Sequence, residues 1–156
     1  MTTPDVTRLI EEYRLGLEAE IVILRQLEEV ADKQHAASEA RDVEALGRAA
    51  DERDRLMAAL VTVEQQVRPV RQSLAEVKSQ VRDVPGYREA LTLHRTAIAL
   101  VGGILRTDSA SLESLAAAEM ARRDLARAME QGETTLAAYR RVMMTPPGAT
   151  LVDRRG

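Results

Sequence analysis

The sequence predicts an all-α fold: an antiparallel bundle of three or four long helices with coiled-coil packing, followed by a disordered C-terminal tail. Three observations predict it. Apolar residues recur in alternating steps of three and four along most of the 156 residues. The apolar side chains are nearly all aliphatic, with no Trp, no Phe and three Tyr, which suits knobs fitting between helices better than a ligand pocket. Turn signals fall near Ala40-Arg41 and at Pro85-Gly86, where long antiparallel helices would need short links. The predicted bundle occupies residues 1–143 and the tail 144–156.

The first helix is expected to open at Pro4, with Thr3 as N-cap and Asp5 in the first turn, where a carboxylate favours the helix dipole. Its seam is Val6, Ile10, Tyr13, Leu17, Leu24, Leu27 and Ala31, with Glu20 standing at one seam position and Ile21 and Ile23 widening the stripe. The helix should end near 38–40. Asp42 can cap a second helix, whose regular seam runs Leu60, Val63, Val67, Val70, Leu74, Val77, Val81, Val84. Its earlier part is irregular, with Arg53 where the seam would pass, and this reads as a phase slip. Pro69 removes a backbone hydrogen bond and predicts a kink at 65–69; Val84-Pro85-Gly86 ends the helix.

A third helix restarts at Tyr87 with the seam Tyr87, Leu91, His94, Ile98, Val101, Leu105, Leu112, Leu115, continuing as Ala118, Arg122, Leu125, Met129, Gly132, Leu136, Tyr139, Met143. Gly102-Gly103 weakens it, each glycine by roughly 1 kcal/mol against alanine. Thr107-Asp108-Ser109 could begin a new helix, so the pattern leaves open whether 87–143 is one helix or two. Beyond it, Pro146-Pro147-Gly148 and a short polar run predict disorder.

Composition excludes several kinds of chemistry. The 22 basic and 25 acidic residues are mixed along the chain, so no basic stripe for nucleic acid appears. Without cysteine there is no disulfide, no cysteine-type zinc site and no thiol nucleophile. The N-terminus does not read as a signal peptide, and the longest apolar stretch, 97–105, is too short to span a bilayer. These features fit the cytoplasm. Of the two histidines, His94 lies on the apolar seam, where a phosphotransfer role competes with that of a half-buried seam residue; its surroundings lack the small, lysine-rich neighbours of an acceptor histidine. His35 reads as a surface residue. Neither histidine has the Glu-x-x-His spacing of a di-iron bundle, and no phosphate loop or hydrolase elbow is present. No enzyme activity, metal or cofactor is expected.

What remains is an amphipathic segment, 125–144, rich in methionine, whose flexible thioethers adapt to varied apolar partners. Tyr139 supplies an amphipathic anchor of the kind frequent at interfaces. This stripe either completes the bundle core or faces a partner. Leu151-Val152, in an otherwise polar tail, could fold onto that partner.

The chain resembles the flagellar export chaperones of the FlgN type. The resemblance rests on Leu17-Glu18-Ala19-Glu20, Ile23-Leu24, Leu27 and Ala36-Ala37 leading into Arg41-Asp42-Val43-Glu44-Ala45-Leu46. Glu52-Arg53-Asp54-Arg55-Leu56-Met57-Ala58-Ala59-Leu60 and Val63-Glu64 follow, then Tyr139 ahead of a Pro/Gly break and Asp153-Arg154-Arg155. The third helix departs from the family pattern at Gly102-Gly103 and Ala116-Ala117-Ala118. The resemblance implies a cytoplasmic, ATP-independent chaperone, a monomer or weak homodimer. It would hold flagellar hook-associated proteins until they reach the export apparatus. By this resemblance the protein-binding residues are Leu136, Tyr139, Val142 and Met143, with Leu151 and Val152 in the tail. The alternative is a structural or adaptor coiled coil that self-associates.

Overall fold

A computed structural model describes residues 2–144, apart from the side chains of 133–136, 138–139 and 141–144. Every regular element among the described residues is helical: α1 Thr3–Ala40, α2 Val43–Glu76, the single turn α3 Lys78–Val81, and α4 Tyr87–Met144. The chain divides into two compact units, Met1–Ser114 and Leu115–Gly156. The predicted all-α bundle of long helices is what the first unit forms. The predicted tail, apart from Met144, lies outside the described residues.

Helix α1 begins one residue earlier than its sequence suggests. Thr2 is the N-cap, and the Asp5 carboxylate accepts from the Thr2 N–H at 3.2 Å and from its hydroxyl at 2.5 Å. Those bonds hold the Asp5 carboxyl below its ordinary range. The predicted seam is buried as expected, from Val6 and Ile10 through Leu17 and Leu24 to Leu27 and Ala31, with Tyr13 half-buried. Arg41 closes the helix in the left-handed conformation, φ 56°, while the Asp42 N–H reaches back to the Ala37 carbonyl at 3.0 Å. The Asp42 side chain then accepts from the Ala45 N–H at 3.0 Å, so two residues end one helix and cap the next.

Helix α2 runs back along α1. Lys33 meets Glu52 at 3.5 Å, Arg53 meets Gln34 at 2.8 Å, and Gly16 faces Val67 near the other end. α1 buries eleven residues and α2 two, Ala49 and Val67, so α1 is the spine of this unit and α2 is laid on its surface. The helix continues through Pro69 and stops at Glu76, earlier than the expected Val84. From there the chain is drawn tight by hydrogen bonds three residues apart: Val77 to Leu74, Gln80 to Val77, Val84 to Val81 and Tyr87 to Val84. This tightening reverses the chain while keeping its valines inward. Leu74, Val77, Val81, Val84 and Tyr87 pack around Val6 and Ile10. Gly86 completes the turn at φ 90°, and a Cβ there would lie 3.3 Å from Ile10 Cγ2, so both backbone and packing favour glycine.

Helix α4 is one helix, Tyr87–Met144, unbroken at Gly102-Gly103 or Thr107–Ser109. In the first unit it runs parallel to α1, with Gly86 beside Ile10 at one end and Ser111 beside His35 at the other. Its buried face corrects the expected one. Ala90, Ala97, Leu100, Ile104 and Ser111 face inward, and the middle three join Ile21, Leu24, Leu27 and Ala31 in the central core. Of the predicted seam, Tyr87, Leu91 and His94 are half-buried, but from Ile98 on it lies one position past the buried face and is left outside: Ile98 is 58% exposed, Leu105 59% and Leu112 68%, with Val101 and Leu115 also exposed. Small residues explain the choice. Ala90 and Ala97 let α4 approach the large aliphatics of α1 closely, whereas branched side chains in those places would hold it off. α4 therefore carries two apolar stripes, one spent on α1 and one unpartnered.

In the second unit, every residue from 120 to 132 is exposed, and Met120, Leu125 and Met129 are each at least 60% exposed. Arg122 and Arg123 both reach Glu119, at 2.8 and 3.2 Å, and hold that exposed carboxyl down to about 2.

Candidate functional site

The two charged residues that interrupt the heptads of α1 and α2 both lie among polar side chains of other helices. Arg53 of α2 forms a two-pronged pair with Asp108 of α4, 2.7 and 2.6 Å, and donates to Gln34 of α1 at 2.8 Å. A planar guanidinium can join three helices in this way; an ammonium would make a single point contact. A double-mutant cycle with Arg53→Met and Asp108→Ala should give a coupling of about 1–2 kcal/mol, because the pair is three-quarters shielded from solvent. Additive single losses in denaturant unfolding would show the pair to be idle.

Glu20 is the second interruption. It is 6% exposed, and its Oε1 is buried without a hydrogen-bond partner among the described residues. Across from it on α2, Glu64 is gripped by Arg71 at 2.7 and 3.3 Å. The Arg71 hydrogen bond holds the Glu64 carboxyl down to about 2, while burial, and then contact with Glu64, push Glu20 up to about 7. Two facing carboxyls share a hydrogen bond only if one keeps a proton. Arg71 makes Glu64 the charged member, so Glu20 is the one that keeps it. Glu64 raises the Arg71 pKa in return, and the Tyr13 hydroxyl adds to the same effect.

This polar group sits in a cavity of about 380 Å³ between α2 and α4. Glu20 and Leu24 of α1 form its floor. Leu60, Glu64 and Arg71 make one wall; His94, Ile98 and Val101 make the other. The walls are largely apolar and the floor holds an unanswered acceptor. Sequence reasoning noted Glu20 and Arg53 as gaps in the heptads without assigning them a role. The signal was there: a charge at a seam position has to find a partner or stay unpaired in the core.

His35, expected at the surface, is half-buried. Its Nδ1 lies 3.5 Å from Ser111 Oγ, and its Nε2 lies 3.2 Å from Glu39. His94 is half-buried on the cavity wall. Among the described residues no group of three or more His, Asp or Glu is placed to hold a metal ion, and no helix is long and apolar enough to cross a membrane.

The residues singled out for protein binding, Leu136, Tyr139, Val142 and Met143, all belong to α4 by backbone, and their side chains lie outside the described residues. Leu151 and Val152 lie outside them altogether. The described part of the same stripe, Leu125 and Met129, is exposed. Comparison with protein-family models, curated proteins and solved structures gives no match to this chain.

Proposed function

We propose that this chain is a cytoplasmic export chaperone of the FlgN type, working by protein binding and not by catalysis. Its clients are flagellar hook–filament junction proteins, held by their helical termini before type III secretion and handed on at the export apparatus. The observation that carries the reading is the exposed apolar stripe of the second unit, Leu125 and Met129, which in sequence leads toward Leu136, Tyr139, Val142 and Met143. Client coiled-coil ends present apolar stripes of their own, and an amphipathic helix can cover them without a preformed pocket. Methionine and tyrosine suit a surface that has to accept more than one sequence.

Tyr139→Ala combined with Met143→Ala should abolish pull-down of a hook-associated client while leaving the helical circular dichroism signal intact. Unchanged client capture by that double variant removes the assignment. A self-associating coiled coil is the second reading, and the unpartnered heptad Ile98, Val101, Leu105, Leu112, Leu115 favours it.

A further inference from the structure

The cavity between α2 and α4 has the composition of a helix-binding groove with one polar requirement. Leu24, Leu60, Ile98 and Val101 supply apolar surface on three helices. Outside the cavity the α4 wall continues in heptad steps to Leu105. A fourth helix laid there would turn three helices into four, the commonest closed form of such packing. The unpaired acceptor on the floor says what that helix must carry: a hydrogen-bond donor. Glu20 and Glu64 face one cation, Arg71, whose two terminal nitrogens are both taken by Glu64 and whose Nε is buried without a partner among the described residues. Tyr13 supports Arg71, Arg68 is exposed and acts on Glu64 only through space, and His94 stands on the opposite wall. Glu20 Oε1, more than nine-tenths buried, is left without a donor among the described residues. The missing occupant is an apolar stripe interrupted by a single basic residue.

This chain contains such a stripe. In the second unit Ala118, Arg122, Leu125 and Met129 follow one another in steps of four, three and four. Arg122, Leu125 and Met129 are exposed, and Arg122 is the one charge in the series. We infer that the groove between α2 and α4 is the docking site for the 118–129 stripe of a second copy of this chain, with Arg122 of that copy answering Glu20. Arg122 is free to exchange partners at little cost. Its pair with Glu119 is exposed and so contributes little, and Arg123 remains on Glu119 when Arg122 leaves. One helix in one groove is small against permanent interfaces, so the dimer is weak and reversible. The inference does not rest on the chaperone reading: it needs no client, and failure of client capture leaves it standing.

The absence of cysteine makes the test direct. Val101→Cys places a thiol on the groove wall, and Leu125→Cys places one on the stripe of a second, size-tagged copy. Mixed and gently oxidised, the two should give a mixed disulfide dimer that dominates over the pairing of Leu125→Cys with Val22→Cys, an exposed site on α1 outside the cavity lining. Arg122→Glu in the Leu125→Cys copy should cut the mixed species roughly tenfold, the effect of reversing one close charge pair, whereas Arg122→Lys should keep most of it. Glu20→Leu in the Val101→Cys copy, which removes the acceptor, should lower the yield as well, with its circular dichroism unchanged. The assignment is overturned if the Val22→Cys control crosslinks equally well, if Arg122→Glu has no effect, or if the mixed species does not form. An Arg122-independent dimer seen by light scattering would mean that another surface joins the copies.

Discussion

Replacing Gly16 by leucine should lower the melting temperature by about 10 °C. A Cβ at this position would run into Val67 Cγ2, and Val67 is itself buried between α1 and α2. Valine is stiff at χ1 and has no easy rotamer in which to step aside, so the helices themselves must part. Overpacking of this kind costs about 3 kcal/mol, and a chain of this length loses roughly 3 °C per kcal/mol. Gly16→Ala tests the same contact more gently. Alanine improves helix propensity by about 1 kcal/mol, so a net loss in Gly16→Ala isolates the steric term. Val67→Ala added to Gly16→Ala should recover part of that loss. Gly47 is the control: nothing lies within 4 Å of its would-be Cβ, and Gly47→Ala should stabilise the protein. Equal behaviour of the two glycine-to-alanine variants in thermal unfolding would show that the helices do not meet closely at Gly16.

Stability should peak near pH 5 and fall toward pH 8, because Glu20 and Glu64 act in opposite directions. The carboxyl of Glu20 is raised to about 7 in the folded chain. Between 4.5 and 7 the folded protein holds a proton that the unfolded chain has released, so its contribution is complete below 4.5 and is lost as pH rises through 7. Glu64 is lowered, so its contribution is present above 4.5 and disappears on acidification toward about 2. The two titrate as a pair, and the alkaline loss amounts to something on the order of 2 kcal/mol. The other carboxyls with a resolved shift, Asp5, Glu11 and Glu119, are all lowered and act on the acid side alone. Glu20→Gln should therefore flatten the alkaline limb of a melting-temperature profile, and Glu20→Leu should make the protein more stable than the parent at pH 8. A parent profile that is flat from pH 5 to 8 would show that Glu20 is charged throughout, with water reaching it.

Most of the architecture was legible in the sequence, and the errors share one cause. The seam of α1, the Asp42 cap and the Pro85-Gly86 turn follow from local rules of periodicity and backbone geometry. The face of α4 does not. Ile98, Val101, Leu105 and Leu112 outweigh Ala90 and Ala97 in any reading based on transfer energy, yet the alanines face α1. How closely two helices approach depends on the partner's side chains, and this information is spread over residues some 76 positions apart. The early end of α2 at Glu76 has the same origin: it follows from Val81 and Val84 reaching Val6 and Ile10. For the site, the heptad gaps at Glu20 and Arg53 were visible, but their partners Glu64, Arg71 and Asp108 were not, since no spacing rule joins side chains on different helices. The C-terminal residues from Leu136 onward were chosen by resemblance, and their side chains fall outside the described set.

The parallel pairing of α1 with α4 also governs how the protein is made. As the chain leaves the ribosome, α1 and α2 can pair as a local hairpin as soon as both have emerged. One flank of α1 then stays bare, with Ile21, Leu24 and Leu27 uncovered until translation has passed Ile104. For that interval the nascent polypeptide displays the sort of greasy surface that cellular holdases recognise. A pause in elongation placed before that point would lengthen the exposure and lower the yield of intact protein.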